Sequence, residues 1–289
     1  LNLLLLTFGQ KQENHYQAVF CILTFLKDSQ IKNIIMITDY PEFYRFLGDK
    51  VRIISIDENT LADWKGKNDF FWRIKIKALE LAIHQYPNEH LLYVDSDTFL
   101  ASNLQNIAQK LDKHIGLMHT FEYQLSAKNQ GETVKRMYST LKNKAFFDVV
   151  INEQSEMWNA GVIALPKTSA KKIIMLSLAL CDAICETPCP CRLVEQFSFS
   201  LALNHLTELH PCDDVIGHYW GNKSEWNQLI NQFFVNALLK QKTLAQCVEE
   251  LNEFNWRSLP LEKKLRSTNS KLKRLIDKLF PHKHIKYLA

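Results

Sequence analysis

The sequence predicts an α/β protein built on a mostly parallel central sheet flanked by helices. Three observations lead there. Short apolar runs at residues 3–8, 33–38, 51–56 and 91–94 read as buried strands. Stretches of helical periodicity separate them, the arrangement expected of βαβ units. The 289 residues, 46% hydrophobic and 23% charged, suffice for a large domain with a substantial core.

Taken in order, residues 3–8 form the first strand and residues 16–27 the first helix. The second strand, 33–38, ends at Asp39, and Tyr40-Pro41 opens a short helix. Residues 51–56 alternate as a third strand. Residues 70–86 read as a helix stopped by Pro87-Asn88, with Phe70, Ile74, Ile76, Leu79 and Ile83 as its apolar stripe. Arg73 and Lys77 share one face of it, and Lys75 lies on a different side. Residues 91–94 are a strand, 102–111 a helix and 115–119 a strand. Residues 128–147 are polar and of no clear period. Residues 159–165 are strand-like and stop at Pro166, after which Thr168 is placed to cap a helix running to about Cys185. Residues 195–204 read as helix and 215–220 as a short extended piece. From residue 228 the chain is mostly helical, with breaks near Leu259-Pro260 and at Pro281. The expected organisation is a catalytic domain over 1–226 and a basic helical C-terminal extension over 227–289.

The formal net charge of +4 hides an asymmetry. Residues 263–289 hold nine Lys or Arg against one Asp, so the rest of the chain is mildly acidic. Such a tail is either a solvated helix or a segment drawn to an anionic membrane surface. It has no motif that points to nucleic acid. No apolar run approaches the roughly 18–20 residues of a membrane helix. The Leu-rich start has no basic leader and reads as a strand, not a signal peptide. The seven cysteines, with Cys181, Cys185, Cys189 and Cys191 clustered, read as reduced thiols of a cytoplasmic protein. Their spacing lacks the paired C-x-x-C of most zinc sites.

The chemistry begins at Asp95-Ser96-Asp97, directly after the buried run 91–94. In open α/β sheets, ligands bind at the carboxyl ends of the strands. Carboxylates one residue apart at such an edge suit Mg²⁺ or Mn²⁺ and a phosphate-bearing substrate. Asn159, followed by Ala160-Gly161, offers a donor and an acceptor for sugar hydroxyls. Glu195-Gln196 stands at the start of a helix, where an acidic residue also serves the helix dipole. His218, with Gly221 and Lys223 shortly after, brings a metal ligand and a phosphate partner on a loop-like stretch.

In this order, these elements resemble the GT-A-fold glycosyltransferases, most of all glycosyltransferase family 8 with its bacterial lipooligosaccharide galactosyltransferase and glycogenin relatives. The resemblance covers about residues 1–226. It implies that Asp95, Asp97 and His218 hold Mn²⁺ (or Mg²⁺) against the phosphates of a UDP-sugar. It implies that Asp95 and Ser96 also border the donor, that Lys223 contacts the β-phosphate beside Gly221, and that Arg73 or Lys77 contacts the donor. Thr7, Phe8, Tyr16 and Asp39 would border the nucleotide. Asn159, Glu195 and Gln196 would orient sugar hydroxyls, with Gln196 on the reacting face if configuration is retained. The acceptor would be a saccharide or lipid-linked saccharide, and the place of action the cytoplasm, at the inner face of the membrane. The chain departs from the family pattern in having Glu195 before Gln196, a shorter interval before Lys223, and a longer segment between the Arg/Lys helix and Asp95.

Two other readings fit parts of the sequence. A haloacid-dehalogenase-like phosphatase also places D-x-D after an apolar strand, and Asp213-Asp214 could serve as its late acidic pair. That family wants D-x-D-x-T, whereas Thr98 follows Asp97 directly, and about three strands precede the motif here. The remaining alternative is a non-catalytic module that binds a sugar nucleotide.

Overall fold

The computed structural model describes residues 1–128, 130–254 and 268–281. The first half alternates as the pattern requires: β1 (Asn2–Thr7), α1 (Gln12–Phe25), β2 (Asn33–Thr38), β3 (Arg52–Ser55), α2 (Glu58–Lys65), α3 (Arg73–Gln85) and β4 (Leu91–Val94). Then follow β5 (Thr98–Leu100), α4 (Gln105–Asp112), β6 (Ile115–Met118), β7 (Phe121–Gln124), α5 (Glu132–Leu141), β8 (Ala145–Phe146), β9 (Val149–Val150), β10 (Glu156–Trp158) and β11 (Val162–Leu165). The remainder is α6 (Ala170–Cys185), α7 (Val194–Leu206), β12 (Glu208–Pro211), β13 (Ile216–His218), α8 (Lys223–Leu239), α9 (Leu244–Asn252) and α10 (Thr268–Leu279).

Among the described residues, seven strands form the central sheet in the order β12-β6-β11-β4-β1-β2-β3. Only β11 runs against its neighbours, β4 and β6; the other pairs are parallel. Alternate side chains of a strand face opposite sides of a sheet. Leu4, Ile35, Tyr93 and Ile163 therefore meet α3, α6 and α7 on one face. Leu3, Leu5, Met36, Leu92 and Val162 meet α1, α4, α8 and α9 on the other. Burial on both faces explains why these strands are unbroken apolar runs rather than alternating ones.

Several details differ from the sequence reading. The helix read as 70–86 begins at Arg73, because i→i+3 turns from Phe70 and Phe71 lead into it and leave Phe71 and Trp72 exposed. Thr168 does not cap α6. The amides of Ser169 and Ala170 bond the carbonyl of Pro166, and the Thr168 hydroxyl bonds His114 instead. The expected boundary after Trp226 falls inside α8. Trp226 and Ile230 of α8, with Val248 and Leu251 of α9, are buried in the same core as α1, and Phe233 packs edge-on against Phe20. The expected break near Leu259-Pro260 lies outside the described residues. Among the described residues, no helix is long and apolar enough to cross a membrane.

Candidate active site

The Asp pair occupies the turn between β4 and β5, at the carboxyl edge of the sheet. It is thus not in a regular strand, and its members differ: Asp97 is buried and Asp95 half-buried. Backbone pairing fixes both. The Asp95 amide donates to the Gly161 carbonyl at 2.8 Å, and the Asp97 carbonyl accepts from the Tyr219 amide at 3.1 Å. β5 pairs with β13 so that Thr98 stands opposite His218. A stack of Phe99, Trp226 and Tyr219 holds this pair of strands to α8.

The result is a cluster. One ligand atom from each of Asp95, Asp97 and His218 lies within 4.8 Å of the others, and among the described residues no other His/Cys/Asp/Glu group meets that test. Nε2 of His218 is buried, 3.4 Å from Asp97 Oδ2, and has no hydrogen bond. Its orientation is set from behind. Asn159 Oδ1 accepts from the Gly161 amide at 3.0 Å, which identifies that atom as the oxygen. The same oxygen lies 3.1 Å from His218 Nδ1, so Nδ1 carries a proton and Nε2 is the ring atom directed at Asp97. Gly161 is required here, since a Cβ on it would sit 2.1 Å from the His218 ring. Two carboxylates and an imidazole lone pair fit a divalent cation such as Mn²⁺.

Lys223, the first residue of α8, places its ammonium 2.8 Å from Asp97 Oδ2. Burial works to raise the Asp97 carboxyl, but His218 and Lys223 outweigh it and hold the group well below the usual carboxylate range. Gly221 lies in the turn between β13 and α8.

Arg73 and Lys77 do not reach this cluster. The Arg73 guanidinium clasps Asp182 of α6 through two hydrogen bonds, at 2.7 and 3.0 Å, and bonds the Trp64 carbonyl. Lys77 pairs with Glu80 and lines a separate groove of about 810 Å³ between α3 and α6. The cation that does arrive is Lys75. Its buried ammonium stands 3.2 Å from Asp95, 3.2 Å from Glu195 and 3.1 Å from the Ala160 carbonyl. Burial pushes this amine down, but the two carboxylates more than offset it and raise it above its ordinary value.

Around the cluster is a cleft of about 760 Å³, walled by Asn159, Glu195, Gln196, Trp220 and Glu122 among others. Glu122 joins two of the expected residues, accepting from Asn159 Nδ2 at 3.0 Å and from Gln196 Nε2 at 2.9 Å. A smaller lobe of about 230 Å³ shares Trp72, Lys75, Asp95, Asp97 and Lys223 with the cleft. Thr7, Phe8 and Ser96 line this lobe, with Asn14 and Phe71. The Thr7 hydroxyl is engaged with Tyr44 at 2.7 Å. Asp39 lines neither lobe; both its oxygens accept from the Gly9 amide and fix the turn after Phe8. Tyr16 is half-buried against the α1 core and also lines neither lobe. Asp213 and Asp214, which a phosphatase would need beside the Asp pair, sit in the turn between β12 and β13 and are not cleft residues.

Sequence reasoning missed Lys75, Glu122, the aromatic pair Phe71-Trp72 and Tyr93, whose hydroxyl donates to Asp95 Oδ1 at 2.6 Å. A signal for Lys75 existed: it lies between Ile74 and Ile76, and all three are buried. The others carry none, because strand pairing and loop direction bring them in.

No protein-family model matches the chain, and no curated protein matches it in sequence. Solved structures do match. An active-site mutant of the galactosyltransferase LgtC is 11% identical and superposes with a TM-score of 0.50, over 80% of this chain and 96% of its own. LgtC in complex with donor and acceptor sugar analogs gives 10% identity and 0.49 over the same shares. Mouse xyloside xylosyltransferase 1 gives 13% and 0.46, over 73% of this chain and 85% of its own. At such identities it is the architecture that is shared: the chain has the GT-A fold, a mostly parallel central sheet flanked by helices.

Proposed function

We propose that this chain is a metal-dependent glycosyltransferase that moves a hexose from a UDP-sugar to a glycan or glycolipid acceptor, with retention of configuration. The observation that carries the reading is the convergence of Asp95, Asp97 and His218 at the carboxyl edge of a GT-A sheet. A bare D-x-D is weak support; a D-x-D joined by a histidine that Asn159 orients, and by a lysine, is much stronger.

A divalent cation held by these three residues, Mn²⁺ or Mg²⁺, supplies a Lewis acid for the charge that develops on the departing diphosphate. The protein's own groups do the rest. Lys223, half-exposed on a flexible stem, is placed to turn from Asp97 to the diphosphate and stabilise the same charge. The smaller lobe, with the rings of Phe8, Phe71 and Trp72, suits a flat base. The larger lobe presents Asn159, Glu195 and Gln196, a polar set suited to sugar hydroxyls. Because Gln196 Nε2 donates to Glu122, its carbonyl oxygen is the atom left to face a substrate. Holding donor and acceptor in register is then the largest part of the protein's task.

The C-terminal segment fits a membrane-bound acceptor. On α10, Leu272, Leu275, Ile276 and Leu279 are exposed and recur at i, i+3, i+4 and i+7, among the basic residues of the tail. A basic helix with an apolar stripe suits an anionic lipid surface. Truncation after Lys264 is expected to weaken binding to anionic vesicles, and unchanged binding removes this role.

The deciding experiment is Mn²⁺-dependent UDP release across a panel of UDP-sugars, with Asp97→Asn alongside. Release by the wild type and a loss of about 10²-fold or more in the variant is expected. Full turnover by Asp97→Asn, or hydrolysis of a generic phosphomonoester in place of UDP release, refutes the assignment.

A further inference from the structure

We propose that the groove between α3 and α6 binds an anionic single-chain amphiphile, one alkyl chain with a carboxylate or phosphate head. Its volume of about 810 Å³ falls within the ~300–1,000 Å³ of small-molecule sites. It shares no lining residue with the two lobes around the Asp pair.

Chain direction explains why a groove stands there. Leu165 pairs with Leu91, so the end of β11 and the start of β4 lie at the amino edge of the sheet. α3 ends at that edge and α6 starts from it, so the two helices run antiparallel. Near the carboxyl edge, Arg73 and Asp182 clasp them together. Toward the amino edge the groove separates them, with His84 and Pro87 on the α3 side and Lys167 and Lys171 on the α6 side. The Asp pair follows Val94 at the opposite edge, so the groove is remote from it.

The lining has an apolar wall and a cationic end. Leu81 of α3, Ile174 and Met175 of α6, and Trp64 of α2 form the wall. Ile174 is buried and Met175 exposed, so the apolar surface runs outward to solvent. The flexible thioether of Met175 adapts to the shape of an alkyl chain. Of the cations, Lys77 is held by Glu80, the one acid in the lining. Lys167 and Lys171 form no ion pair among the described residues. They stand four residues apart at the start of α6, where the helix dipole is also positive. Two unpaired cations at one end and an apolar wall along the rest match one anionic head and one alkyl chain. An acidic partner helix would instead call for cations spread along both walls.

The test is isothermal titration calorimetry of the full chain with dodecanoate, tetradecanoate and dodecyl phosphate, each below its micelle concentration. The neutral glycerol monoester of dodecanoate is the control. Saturable binding of one anion per chain is expected. Tetradecanoate should bind about tenfold more tightly than dodecanoate, since each buried methylene contributes about fourfold. The tighter of dodecanoate and dodecyl phosphate identifies the head. The neutral ester is expected to bind about tenfold more weakly than dodecanoate. Replacing both lysines, Lys167→Gln with Lys171→Gln, should weaken the anions about tenfold and leave the neutral ester unchanged. Met175→Asp, at an exposed position, should abolish binding by placing a carboxylate in the wall. Circular dichroism checks that both variants fold. Binding of micelles only, equal affinity for the neutral ester, or affinity that either variant leaves unchanged overturns the proposal. So does an acidic leucine–glutamate helical peptide that binds where dodecanoate does not, which would make the groove a protein-docking surface.

Discussion

Lys75 stands 3.2 Å from Asp95 and 3.2 Å from Glu195, and so ties the turn after β4 to the first turn of α7. All three groups are withdrawn from water, Lys75 and Glu195 almost fully. Burial pushes the Glu195 carboxyl up, and Lys75 restrains that rise. A buried charge stripped of its partner is strongly destabilising. Lys75→Met keeps the volume and leaves two carboxylates facing each other. It is expected to cost about 3–5 kcal/mol in urea unfolding. A loss below about 1 kcal/mol would mean that the two carboxylates do not depend on this lysine.

Gly161 is the second point where one atom matters. An added Cβ meets His218 Cε1 at 2.1 Å and Nδ1 at 2.4 Å, so the imidazole must move or rotate. Gly161→Ala is expected to preserve the fold, since β11 begins only at Val162. Mn²⁺ affinity, read by electron paramagnetic resonance of the free ion, is expected to fall by about 10–100-fold, the usual effect of disturbing a ligand's support. Unchanged affinity would remove His218 from the ligand set.

Much of this was legible in the sequence, and the rest was not for identifiable reasons. The strand before Asp95 was readable because burial on both faces demands an unbroken apolar run. The order of Asp95, Asn159, Glu195 and His218 pointed to one cleft, and strand pairing does assemble them there. The choice between Arg73 and Lys77 went to neither, because periodicity gives the face of a helix but not what packs on it. Asp182, about one hundred residues downstream, claims Arg73. Glu122 was invisible because it sits on a two-stranded ribbon, β7 with β10, whose irregular register turns it toward Asn159. Contacts made across the sheet by unrelated segments leave no local pattern to read.

His119 makes stability depend on pH. Burial, and next the charge of His218, pushes its imidazole down from 6.5 to about 4. Its Nε2–H donates to the Ile216 carbonyl, and its ring stands edge-on to His218 at 5.1 Å. The folded state therefore keeps this ring neutral, while the unfolded chain takes up a proton below its ordinary value. Between about 6.5 and about 4 the unfolded state binds more protons, so stability falls as the pH falls, and levels off below the folded value. The full span corresponds to ~3 kcal/mol at most. His119→Gln retains a donor for Ile216 without the titration. Urea midpoints at pH 7 and pH 4.5 are expected to drop further for the wild type than for His119→Gln. Equal drops in the two proteins would show that the acid sensitivity arises elsewhere.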